Sequence, residues 1–151
     1  MGRQPFQLQP VLIYRESLVE AREVELAAAL KAQAQAEQAL RELQEERTRC
    51  QAQVRAQRLL ERLDPLELTV VEAYLVHLEE RLAEQAALVQ QLAAQTEQRR
   101  AALAEALKEQ KKIQRLKERH ELVAAQEEAR IDQARVDDLN TTRYARRKAV
   151  A

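Results

Sequence analysis

Glycine occurs once in 151 residues, tryptophan not at all, phenylalanine once and tyrosine three times. Tight turns, strand bends and loops that cradle phosphate depend on glycine, so a glycine-rich nucleotide loop is excluded. With aromatics at 3% of the chain, a thick core of large side chains is also excluded. Cysteine is single, and Cys50 reads as a small buried apolar side chain in a reducing compartment. Neither charge sign dominates, with 25 Lys and Arg against 25 Asp and Glu. No overall positive field gathers phosphates, and nucleic acid is not an expected partner. No uncharged apolar run approaches the roughly 18 residues of a spanning helix. The N-terminus lacks the segments of a signal peptide. The expectation is a cytosolic protein with no direct membrane insertion.

What remains is Ala, Leu, Gln, Glu and Arg, the strong helix formers. In steps of three and four, one seam runs Leu12, Arg15, Val19, Arg22, Leu26, Ala29, Gln33, Ala36, Leu40, Leu43, Arg47, Cys50 and Val54. A second runs Val71, Tyr74, Leu75, Leu78, Leu82, Val89, Leu92, Thr96, Leu103, Leu107, Ile113, Leu116 and Val123, with a slip of phase after Leu107. Between them, Asp64-Pro65-Leu66-Glu67 is a helix start signal: Asp caps, Pro occupies the first position, and Glu reaches back. Thr69 with Glu72 offers a second start. The fold class expected is all-α, an elongated antiparallel two-helix coiled-coil hairpin with a longer second helix. One domain over 1–151 is expected, with helix one over about 10–59, a turn at about 60–65 and helix two over about 65–147. A single helix kinked at Pro65 is the alternative. At about 1.5 Å per residue the rods are about 75 Å and about 120 Å long. Leu12 then comes opposite about 115–118, and residues 119–151 overhang with no partner inside the chain.

Catalysis has little to stand on. His77 and His120 are far apart in sequence and lack neighbours at metal-ligand spacing, so no enzyme activity, cofactor or metal is expected. Intrahelical pairs such as Arg41 with Glu45 and Glu45 with Arg49 fit an ordinary solvated face. Charge placement says more. Between Arg99 and Glu121 eight basic residues stand against four acidic ones, and Lys108, Lys111, Lys112, Arg115 and Arg119 recur at three and four. That stripe is either a solvated face or a surface for an acidic partner. Beyond the turn, Tyr74, Leu75, Leu78 and Leu82, with Arg81 and Gln85, cover more width than a seam requires. Either the apolar members pack on Val54, Cys50 and Leu43, or an aromatic and an arginine anchor a partner there.

FQLQPVLIYRE (Phe6–Glu16), EAYLVHLEERL (Glu72–Leu82) and RLKERHELVAAQEEARIDQARVDDL (Arg115–Leu139), in that order across an unequal hairpin, resemble the flagellar export protein FliJ family and its relatives in virulence-type secretion. The resemblance implies a soluble, stalk-like coiled coil of the type III export apparatus, linking the flagellar export ATPase hexamer to the transmembrane export-gate protein and to export chaperones. It implies a place in the cytoplasm, peripheral to the cell membrane at the flagellar base. Carried over by position, a gate-binding patch falls on Ala39, Leu43, Glu46, Cys50, Tyr74, Leu78, Arg81 and Gln85, with Glu46 and Cys50 where relatives can have aromatic residues. Arg130, Gln133, Asp137 and Asp138 fall at the ATPase-facing end. From the residues alone, a dimerising cytosolic coiled-coil adaptor is the competing class.

Overall fold

The computed structural model describes residues 4–61 and 64–150, and residues 62 and 63 of the expected turn lie outside them. Two helices account for nearly all of it: α1, Gln9–Leu59, and α2, Pro65–Val150. They pack against each other, so the alternative of one kinked rod is set aside and the hairpin with the longer second helix stands. Internal contacts divide the chain into one unit of residues 20–105 and another of residues 1–19 with 106–151.

The helix ends follow from local chemistry. Pro10 lies in the first turn of α1, where an N–H has no intrahelical acceptor to lose. At the other end Glu61 takes a left-handed conformation, φ 52°, and its N–H bonds the Arg58 carbonyl at 3.2 Å. A non-glycine residue therefore fills the position where helices commonly end on glycine. Asp64 opens α2: its side chain receives the Leu66 N–H at 3.5 Å and its carbonyl the Leu68 N–H at 3.0 Å. Thr69 is not a cap. It sits inside α2 with its hydroxyl donating to the Pro65 carbonyl at 3.0 Å.

Within residues 20–105 the pairing is antiparallel, with Arg58 on Glu72, Arg47 on Glu79 and Arg99 on Glu25. These ion pairs are exposed and contribute about 0–1 kcal/mol each, so they select register more than they supply stability. Burial supplies more: Leu43, Leu78 and Leu82 form the cluster, flanked by Leu40 and Leu75. Each such leucine contributes about 1.5–3 kcal/mol when fully covered. Ala36 is buried opposite, and its small side chain lets the Gln85 amide reach the α1 backbone at the Ala36 carbonyl, 2.9 Å. Thr96 is the buried polar residue of the seam, satisfied by donating to the Leu92 carbonyl at 3.0 Å. Arg41 donates to Gln38 at 2.8 Å, not to the expected Glu45.

In the unit of residues 1–19 and 106–151, Phe6 lies against His120, ring centroids 5.6 Å apart, and a His120 ring nitrogen is 3.0 Å from the Gln4 carbonyl. The charge of Arg15 acts on Glu109 in the same unit. Leu116 and Val123, read as seam, are 45% and 57% exposed. The covered face of α2 runs through Ala106, Gln110, Ile113, Lys117, His120 and Ala124. Every residue from Ala125 to Val150 is exposed.

Candidate functional site

Two groups of candidate residues sit in different units. Leu43, Tyr74, Leu78, Arg81 and Gln85 belong to residues 20–105, while Arg130, Gln133, Asp137 and Asp138 belong to the other unit. The first group divides by exposure. Leu78 is 0% and Leu43 9% exposed, so both side chains are taken up by the packing of α1 on α2. This is the packed alternative of the two open readings, and it follows from their place at the centre of the Leu43–Leu78–Leu82 cluster. Gln85 is half-buried and its amide is engaged by Ala36.

Tyr74, at 39% exposure, and Arg81 face outward beside that cluster. The Tyr74 hydroxyl donates to the Glu46 carboxylate across the helix pair. That bond, followed by partial desolvation and the charge of Glu46, holds the phenol above its ordinary pKa. Arg47 and Glu79 bridge the helices nearby at 3.2 Å. Glu46 and Cys50 thus have structural uses here. Glu46 orients Tyr74, and Cys50 lines a groove of about 380 Å³ with Gln53, Val54, Leu66 and Val70. The thiol is half-buried, less covered than expected.

The second group is a surface on α2 with no helix beside it. Gln133 donates to Asp137 at 2.9 Å, the i,i+4 spacing, so these two are brought together. Arg130 is not joined to the acidic pair: its guanidinium takes both oxygens of Glu127, at 2.7 and 3.0 Å. The Glu127 carboxyl is held below the ordinary range chiefly by that hydrogen bond. Thr141 and Thr142 donate to the Asp137 and Asp138 carbonyls, leaving the Asp138 carboxylate toward solvent. The sequence signal for the partner of Arg130 is the i,i+3 spacing of Glu127 from it.

The chemistry available is recognition through charge and hydrogen bonds. Among the described residues no group of three or more His, Cys, Asp and Glu is placed to hold a metal, and no helix is long and apolar enough to cross a membrane. Compared with known families, the chain matches the model of the flagellar FliJ protein over residues 4–149. No curated protein and no solved structure matches it.

Proposed function

The chain belongs to the flagellar FliJ protein family, and on that premise we propose that it is a non-catalytic stalk of the flagellar export apparatus. In this role it links the hexameric export ATPase to the transmembrane export-gate protein and to the chaperones that deliver substrates. It works at the cytoplasmic face of the membrane, held there by its partners. The observation that carries the reading is the family match along residues 4–149.

The two exposed surfaces support a division of labour. Tyr74 and Arg81 form the gate-facing patch, with Leu43 and Leu78 as the packed frame that sets their position and Gln85 tying α2 to α1. Arg130, Gln133, Asp137 and Asp138 lie on the ATPase-facing segment, where residues 125–150 are all exposed. A long solvated helix gains most of its stability from packing, so enclosure by a ring would stabilise this segment. The protein itself hydrolyses no ATP; it promotes assembly or turnover of the ATPase. The test is co-purification of the tagged chain from native membranes. Recovery of the export ATPase and gate protein supports the proposal, and recovery of neither overturns it.

A further inference from the structure

Several cations of α2 are paired with a carboxylate of the preceding turn. Arg100 has Glu97, Arg130 has Glu127 and Arg135 has Asp132, each carboxylate three residues N-terminal to its cation. Lys112 has Glu109 in the same way, at 2.8 Å. Lys108, Lys111, Arg115 and Arg119 are exposed and make no ion pair among the described residues. Glu118, three residues after Arg115, instead accepts from Gln114 at 3.4 Å. Glu109 is held below the ordinary carboxylate range chiefly by its hydrogen bond to Lys112, with Arg15 and Lys108 adding to the positive field.

Residues three and four apart share a helix face, so 108, 111, 112, 115 and 119 form one stripe. Like charges at i,i+4, Lys108 with Lys112, Lys111 with Arg115 and Arg115 with Arg119, repel one another, and an isolated helix would be more stable without them. The stripe is about 17 Å long at the helical rise.

We propose that this stripe docks an acidic helix of a partner protein, one whose carboxylates recur every three and four residues. Such a helix presents anions at the same pitch as the cations, so several pairs form in one straight register, as across the flanks of a coiled coil. A flat lipid surface fits less well, because adhesion of a helix to a membrane needs a broad apolar face beneath the cations, and among the described residues between Lys108 and Arg119 Leu116 is the single large apolar side chain that is exposed. A duplex also fits less well: its phosphates wind around the axis, and the chain has no net positive charge to gather them. The inference rests on the charge arrangement and stands apart from the export role.

The test uses the full chain and a fluorescent, stapled helical peptide with glutamates at three- and four-residue intervals. Saturable binding is expected at low salt, weakening at least about tenfold between about 50 and about 300 mM as pairs are screened. Lys111→Glu with Arg115→Glu should weaken it by at least about tenfold, and the matching Gln pair by less, because reversal adds repulsion to the loss of attraction. Circular dichroism should show both variants as helical as the parent. The proposal is overturned if the reversed variant binds as tightly as the parent. It is equally overturned if a peptide with the same glutamates clustered at one end binds as well. Tighter binding by a DNA duplex or by phosphatidylglycerol vesicles at the same salt also overturns it.

Discussion

The Tyr74 hydroxyl on α2 donates a hydrogen bond to the Glu46 carboxylate on α1. An anionic acceptor favours the protonated phenol, and the folded chain holds this proton more tightly than the unfolded one. The contribution to stability is therefore full below the ordinary tyrosine pKa of about 10 and is lost as pH rises through the raised value. In alkaline absorbance titrations, the difference between parent and Tyr74→Phe isolates this residue. Its midpoint should lie above about 10 and fall in Glu46→Gln. A midpoint at or below the free value in the parent contradicts the contact.

Leu78 and Arg81 lie three residues apart on α2 and should respond to mutation in opposite ways. Leu78→Ala leaves a hole in the Leu43–Leu82 cluster and should cost about 2–4 kcal/mol in denaturant unfolding. Arg81→Ala, on the exposed side, should stay within about 0.5 kcal/mol. It should nevertheless weaken binding to the gate protein in a pull-down. Similar losses of stability in the two variants would show that the patch has been divided in the wrong place.

The α1 seam was legible because leucine, valine and alanine recur along it often enough to mark the face. Every position read for it is buried or half-buried. On α2 the same rule failed after Leu107. There Ile113 is half-buried as read, but the covered face continues through Gln110, Lys117 and His120, side chains that carry no apolar signal. Following leucine and valine led instead to Leu116 and Val123 on neighbouring faces. His120 gains its place from Phe6 and Gln4, more than a hundred residues away, which no local spacing reveals. Tyr74, Leu78, Arg81 and Gln85 stand out in the sequence as a stripe wider than a seam, whereas Arg130, Gln133, Asp137 and Asp138 rest on resemblance. Sequence alone could not separate Leu78 from Tyr74, because burial at the edge of a seam depends on the register of the opposite helix.

Glu25 contributes to the acid sensitivity of the fold. Its hydrogen bond from Arg22, and then the nearby charge of Arg99, hold its pKa below the ordinary range against an opposing desolvation. The stabilisation is present above the ordinary carboxylate value of about 4.3 and is lost as pH falls through the lowered one. Thermal melts of the parent and Glu25→Gln should differ at neutral pH and converge on acidification. A gap that persists or widens in acid contradicts the assignment.

Glu61 ends α1 in a left-handed conformation that glycine adopts without steric cost. Glu61→Gly should raise stability by about 0.5–1 kcal/mol, the relief at this position exceeding the added freedom of the unfolded chain. Denaturant midpoints read this directly. A lower midpoint would mean that the left-handed turn is not where the helix ends.

The most direct measurement for the export role is truncation after Ala124, the last partly covered residue of α2, with Phe6 and His120 left in contact. The shortened chain and the parent are each mixed with the hexameric export ATPase and compared by pull-down, with circular dichroism of both. The account predicts that the truncated chain stays helical and loses the ATPase. A truncated chain that binds the hexamer as well as the parent would contradict it.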